Sequence, residues 1–283
     1  MSENNTNILI VGMSKTGKTN FGGQLYGRLK SMECLFKLRE TPDDLSLFDE
    51  IWRRLNEGLE GAHTSSKLHK TIILPVESKE GKHIDIVYPD YGGEQIRDIV
   101  MQRQISEIWQ QQIRSSDHWF LFVRLDLIEN ISDITTKFYQ QIAEDKDKKT
   151  VKIKPIIDLP EDTSAFYVEL LQIFLYTKKV ALSSPNKPQL TVLLSCWDKL
   201  NTEGAKPLEV LHQKMPLFSN FVKSNWHEED FQIVGLSSLG KDLDKDKPDK
   251  EYENLGPERF GYLILPNGER ETDITQILNY VAK

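Results

Sequence analysis

Asn7 to Leu29 read NILIVGMSKTGKTNFGGQLYGRL, and the fold follows from how that stretch divides. An apolar run, Ile8 to Val11, ends at Gly12. The loop Gly12-Met13-Ser14-Lys15-Thr16-Gly17-Lys18-Thr19 then fits G-x-x-x-x-G-K-[ST], and Asn20 to Lys30 reads as a helix. Strand, phosphate loop and helix follow in the order that polyphosphate binding requires. Glycines let backbone N–H groups turn inward around phosphate oxygens, and the helix N-terminus adds partial positive charge. Lys18 is expected to reach the β- and γ-phosphates, with the Thr19 hydroxyl on Mg²⁺. Gly12, Ser14, Lys15, Thr16, Gly17, Lys18, Thr19 and Asn20 are therefore the expected contacts at this end. Gly22 and Gly23 weaken the helix intrinsically and suggest close packing against a sheet.

Outward from that stretch, strand-like and helix-like segments alternate. Residues 41–59 read as a helix with Arg53 and Arg54 in its later turns. Thr71–Val76 and His83–Val87 flank the turn SKEGK as a hairpin, and a long amphipathic helix is expected up to about Arg114. Strands follow at Trp119–Val123, Leu190–Leu194, Phe231–Leu236 and Tyr262–Leu265. Helices are expected at Ser164–Tyr176, at Pro207–Val222 and from about Ile274. Residues 129–162 and 240–254 are charged surface segments with no core-forming pattern. The pattern describes a doubly wound α/β sheet, mostly parallel, with one antiparallel strand from the hairpin.

Composition narrows the function. The chain has 283 residues, is 39% apolar and carries a net charge of −7, which suits a globular protein and argues against a general nucleic-acid surface. Cys34 and Cys196 are the only cysteines, so neither a disulfide framework nor a zinc site is expected. MSENNTN has no signal-peptide character, and the run Trp119–Ile128 is short and contains Arg124 and Asp126; a cytoplasmic protein without a membrane span is expected.

Ligands of doubly wound sheets bind beyond the carboxyl ends of the strands. Here strand ends meet GMSKTGKT, PDYGG, SCWD and SSLG, which would share one rim. Asp90 can hold Mg²⁺ through water, and the Gly93 N–H, at D-x-x-G spacing, can bond a γ-phosphate. Glu94, Gln95 or neither would position an attacking water; both are candidates only. Asp198 can accept from the N1 and N2 hydrogens of guanine, a pairing adenine cannot offer, while Ser237, Ser238 and Leu239 can supply backbone donors to the guanine oxygen.

The ordered set GMSKTGKT, DYGG, SCWD and SSL resembles the translation-factor-related (TRAFAC) clade of P-loop GTPases, a Ras-like architecture. SCWD, GKTNFGGQLYGRL and the ending GYLILPNGERETDITQIL are similar to bacterial double-GTPase domains, which belong to multi-gene conflict or anti-phage systems. The clade's usual base motif is N-K-x-D; Ser195 and Cys196 replace its loop-tying Asn and base-packing Lys, so Trp197 or Lys199 would stand in. The resemblance also implies a switch threonine, for which Thr64 is the choice, with Ser65 and Ser66 close by. It gives Lys15, where potassium-activated relatives carry an ion-ligating residue, a candidate catalytic charge.

The resemblance thus implies one GTPase domain over residues 1–283, with insertions at about 31–67, 129–162 and 240–260. It implies GTP or GDP and Mg²⁺ as ligands, the metal on Thr19, Thr64 and Asp90, and partner proteins from the same system. Slow GTP hydrolysis by a switch is one expectation; a nucleotide-holding structural subunit with little or no hydrolysis is the alternative. An ATPase or a nucleotide kinase is a weaker reading, since both share the phosphate loop; a kinase would also need an Arg-rich lid, which the sequence lacks.

Overall fold

Ile8 and Ile10 alternate with Leu9 and Val11 along β1 (Thr6–Gly12), and all four are buried. A strand apolar on both faces belongs mid-sheet with cover on each side. In the computed structural model β1 pairs in parallel with β4 (His83–Tyr88) and with β5 (His118–Arg124). The structure describes residues 5–31, 34–40, 46–61, 71–89, 94–128, 164–200 and 202–281.

Among the described residues the sheet has nine strands in the order β2-β3-β4-β1-β5-β6-β7-β8-β9. The remaining strands are β2 (Phe36–Leu38), β3 (Ile72–Ser78), β6 (Gln189–Ser195), β7 (Phe231–Ser237), β8 (Tyr262–Ile264) and β9 (Arg270–Glu271). β5, β6 and β7 continue the parallel set, so their carboxyl ends share the rim where β1 ends. β3 is the expected antiparallel strand; β8, at the opposite side, also runs against its neighbours. This is a mixed α/β fold of the P-loop NTPase kind.

Apolar residues of one parity, among them Leu9, Leu121, Val123 and Val192, pack under α3 (Glu94–Gln102), α4 (Glu107–Ser115), α5 (Ser164–Lys178), α6 (Pro207–Lys214) and α7 (Pro216–Asn225). Residues of the other parity, among them Ile8, Ile10, Phe122 and Val234, pack with α1 (Lys18–Ser31), α2 (Ser46–Asn56) and the C-terminal segment. The close approach made by α1's glycines is chiefly to α2 rather than to the sheet. A Cβ on Gly22 would meet the Phe48 ring at 2.5 Å, on Gly23 the Ile51 side chain at 2.3 Å, and on Gly27 the Trp52 ring at 2.0 Å.

Two long helices of the sequence reading are each divided. Arg103 has φ +52°, which a right-handed helix cannot continue, and Ser106 caps the next helix by accepting from the Trp109 N–H. Pro216 excludes the preceding Met215 from helical geometry, and Met215 sits at φ −137°, ψ 63° between α6 and α7. The last helix is a 3-10 segment, Ile274–Tyr280.

Residues 240–254 differ most from the sequence reading. Leu243 and Tyr252 are buried, and α8 (Lys250–Leu255) is capped by the Asp249 carboxylate. Tyr252 stacks on Phe260 at 4.2 Å and receives a hydrogen bond from the Gln24 amide of α1 at 2.9 Å. Two apolar anchors, spaced too far apart to make a periodic pattern, hold an otherwise charged strap in place. The segment 129–162 lies outside the described residues.

Candidate functional site

The phosphate loop is shaped by its neighbours. A Cβ at Gly12 would meet the Phe122 Cβ at 2.8 Å and the Thr16 hydroxyl at 2.9 Å, so only glycine fits where β1 turns out of the sheet. Lys15 and Gly17 take left-handed conformations, φ 63° and 79°. Buried Thr16 donates its hydroxyl to the Met13 carbonyl at 2.8 Å. The Lys18 ammonium donates to the carbonyls of Gly12 at 2.7 Å and Met13 at 2.5 Å. Part of the Lys18 side chain stays exposed, but the charged group is nested in the loop, and this burial lowers its pKa to about 7. Phosphate oxygens would favour the charged form again.

Beside the loop, Arg124 ends β5. Its guanidinium grips both oxygens of Asp126, at 2.8 and 2.9 Å, and donates to the Lys15 carbonyl at 3.0 Å. The Asp126 hydrogen bonds raise its pKa further. Nothing in the sequence singles out Arg124; a strand-ending arginine follows no motif, although it lies on the same rim as the four clusters.

On the base side, Ser195 ends β6 and Cys196 turns the chain through φ 53° into the 3-10 turn Trp197–Lys199. Asp198 accepts from the fully buried Ser237 hydroxyl, which in turn accepts from the Gly240 N–H at 2.9 Å. Ser237 thus organises the loop and orients the carboxylate. Lys199 pairs with Asp242 at 2.6 Å. The Cys196 thiol is pushed up to about 11, chiefly by burial. Trp197 is buried over Gly235, where a Cβ would meet its ring at 2.6 Å, so it serves the core.

A second wall closes the site from α2. Arg54 donates to the Glu60 carbonyl and to the Lys245 carbonyl, each at 2.8 Å. The Glu60 N–H reaches the Asp244 carbonyl, and the Asp249 N–H reaches Gly58, each at 2.9 Å. Two loops far apart in sequence are thereby clamped together.

Between these walls lies a cavity of about 480 Å³. It is lined by Ser14 to Asn20, Glu60, Gly61, Arg124, Ser195, Cys196, Asp198, Lys199, Ser238, Leu239 and part of the strap from Lys241 to Lys245. Its cations, Lys15, Lys18, Arg124, Lys199, Lys241 and Lys245, outnumber Glu60, Asp198 and Asp242, in a chain whose net charge is −7. Such focusing suits a polyphosphate. Of the expected contacts, Gly12, Trp197 and Ser237 stand behind the lining and support it. Gln95 is not in the lining either; its side-chain oxygen accepts from the Trp109 indole at 2.9 Å. Thr64, Ser65, Ser66, Asp90 and Gly93, and the side chain of Glu94, lie outside the described residues. Glu60, Gly61 and the strap residues carry no site signal in the sequence, which reads there as solvated loop.

Mg²⁺ fits what is described: the Thr19 hydroxyl lies on a residue lining the cavity beside Lys18. Magnesium at a nucleotide is commonly held by one or two protein groups, phosphate oxygens and water. No helix among the described residues is long and apolar enough to cross a membrane.

The sequence model of the family described as Double-GTPase 1 matches residues 9–281. No curated protein matches the chain. Among solved structures, the Saccharomyces cerevisiae Ski7 GTPase-like domain, bound to GDP and inorganic phosphate, is 12% identical with a TM-score of 0.44, over 83% of this chain and 43% of that one. The Trypanosoma brucei small GTPase Arl6 (BBS3) is 11% identical with a TM-score of 0.37, over 83% of this chain and 88% of that one. Bacterial selenocysteine-specific elongation factor EF-Sec is 14% identical with a TM-score of 0.38, over 83% of this chain; the chain spans 26% of that protein's length.

Proposed function

The chain belongs to the Double-GTPase 1 family, and on that premise we propose that it is a Mg²⁺-dependent switch that binds GTP and hydrolyses it slowly to GDP and phosphate. The observation that carries this reading is the single cavity onto which the phosphate loop, Arg124, the Asp198 turn and the strap converge. Thr16, Gly17 and Lys18 would hold the phosphates, Asp198 would accept from the guanine N1 and N2 hydrogens, and Ser238 and Leu239 would flank the base. Mg²⁺ would be held by Thr19, with Thr64 and Asp90 completing its ligands, and would neutralise charge developing on the phosphates. Lys15, exposed at the cavity edge, would add positive charge there. Residues 1–283 would form one such domain.

Slow turnover is part of the reading, because the largest rate gain in this chemistry often comes from a group that a partner supplies. Single-turnover hydrolysis at saturating GTP tests it. Phosphate release that needs Mg²⁺ and is lost in Lys18→Ala is expected; no release above the protein-free blank contradicts it. The Gln95–Trp109 hydrogen bond favours a second reading, a structural subunit that holds nucleotide without hydrolysing it, and that blank result is what it expects.

The cellular setting we propose is the cytoplasm of a bacterium, in a multi-protein conflict or anti-phage system with partner proteins from the same system. What supports it is the likeness of SCWD and the C-terminal stretch to bacterial double-GTPase domains. A Lys18→Ala substitution in the intact system is expected to lower protection against phage; unchanged plating efficiency contradicts this setting.

A further inference from the structure

We propose that Arg124, locked by Asp126, is a positioning residue that fixes the Lys15–Thr16 peptide so that the Thr16 N–H serves as a phosphate donor. The inference rests on the nucleotide reading of the cavity and names a device within it that the phosphate-loop motif does not contain.

Gly12 of β1 sits opposite Phe122 of β5, and side chains two apart on a strand share a face. Arg124 therefore projects on the Phe122 side, next to the loop that leaves Gly12. Its Nε and one terminal nitrogen are taken by the two oxygens of Asp126, a planar fork that leaves little rotational freedom. The other terminal nitrogen is thereby aimed at the Lys15 carbonyl, 3.0 Å away. Both residues of the fork are largely shielded, with side-chain exposures of 17% and 13%.

A trans peptide points its C=O and N–H in opposite directions. Holding the Lys15 oxygen towards Arg124 turns the Thr16 N–H the other way, across the loop. Lys15 meanwhile sits at φ 63°, a conformation side chains resist, and a bond from outside the loop helps to hold it. Lys18 and the Thr16 hydroxyl hold the Gly12 and Met13 carbonyls in the same fashion. Arg124 thus adds, from outside the motif, a hold on the Lys15 carbonyl.

The experiment compares wild type with Arg124→Met, Arg124→Lys and Asp126→Asn. It measures affinity for GTP, GDP and ATP, melting temperature, and the Thr16 amide resonance with and without GDP. Arg124→Met is expected to weaken GTP and GDP together by about 10- to 100-fold. The GTP-to-ATP ratio should be unchanged, Arg124→Lys should restore part of the loss, and Asp126→Asn should give a smaller one. The GDP-induced shift of the Thr16 amide should shrink in step. Unchanged affinity or an unchanged Thr16 shift in Arg124→Met overturns the proposal, as does a changed GTP-to-ATP ratio, which would make Arg124 a base contact. If Arg124→Met does not fold, Asp126→Asn and Arg124→Lys decide by the same readouts. Wild type that binds neither GTP nor GDP removes the nucleotide reading itself, a result distinct from all of these.

Discussion

The Lys18 ammonium lies 2.7 Å from the Gly12 carbonyl, so the loop's cation is bonded to the loop's own first residue. Its pKa of about 7, set by burial, would make this lysine a proton-linked binding group for the proposed nucleotide. Phosphate oxygens beside it would raise that value. At about pH 8 the free protein holds Lys18 mostly neutral and the complex holds it charged, so binding takes up roughly one proton. Affinity should fall as pH rises above about 7. Calorimetric heats of GDP binding in buffers of different ionisation enthalpy check this; heats that do not depend on the buffer contradict it.

In the function proposed, Asp198 carries the base preference. Replacing it by Asn puts an amide where the guanine N2 amine needs an acceptor, leaving a buried donor facing a donor. GTP affinity should drop by about 10- to 100-fold, with ATP affinity little changed. A nucleotide with an oxygen at C2, xanthosine triphosphate, should gain over GTP. Ser237→Ala, which frees the carboxylate, should produce a smaller loss of the same kind. Competition binding distinguishes these outcomes from a uniform loss.

Arg54 joins the α2 wall to the strap through two backbone carbonyls. Arg54→Met removes both bonds while keeping much of the stem. Release of GTP and GDP should quicken by roughly 10-fold, on the scale of one or two lost hydrogen bonds. Stopped-flow dissociation of a fluorescent GDP measures it, and unaltered release means that the wall does not cover the nucleotide.

His118 is buried far from the rim, its Nε2 is 2.8 Å from the Thr191 hydroxyl, and burial lowers its pKa to about 3. The unfolded chain protonates this histidine near pH 6.5, but the folded chain only near pH 3, so the unfolded state binds more protons across that window. Stability contributed by neutral His118 is present above the unfolded value and is lost as pH falls towards the folded one. At about pH 4.5 the loss is about 3 kcal/mol. His118→Gln should flatten this part of the pH profile in urea unfolding, whereas an unchanged profile contradicts it.

Lys15→Ala tests the charge placed at the cavity edge. Hydrolysis should slow in both sodium and potassium buffers if the ammonium acts on the transition state. Equal rates for variant and wild type in both salts leave Lys15 a solvated loop residue.

The phosphate loop, the parallel strands and the Asp198 turn were legible because each is a local signal: an apolar run ended by polar or glycine residues. Asp198 and Ser238 line one cavity because β6 and β7 are neighbours in the sheet. The loop's supports were less legible. Arg124 reads as a charge at a strand end, and only the register of β1 with β5 puts it on the Lys15 carbonyl. Leu243 and Tyr252 are single anchors among charged neighbours, so the strap shows no periodicity although it walls the site. Strand β2 has three residues and draws its stability from the neighbouring β3. The division at Arg103 depends on a backbone angle that composition does not encode; that at Pro216 was readable and was overridden by a continuous apolar pattern.

The most direct test of a guanine-nucleotide site is to identify the nucleotide that co-purifies with the protein and then titrate the emptied protein with GTP and ATP in Mg²⁺. Bound GDP or GTP is expected, with GTP preferred over ATP by at least about 100-fold, the scale of a satisfied against an unsatisfied pair of donors. Equal affinity for the two, or a preference for ATP, contradicts the assignment of Asp198 and with it the account.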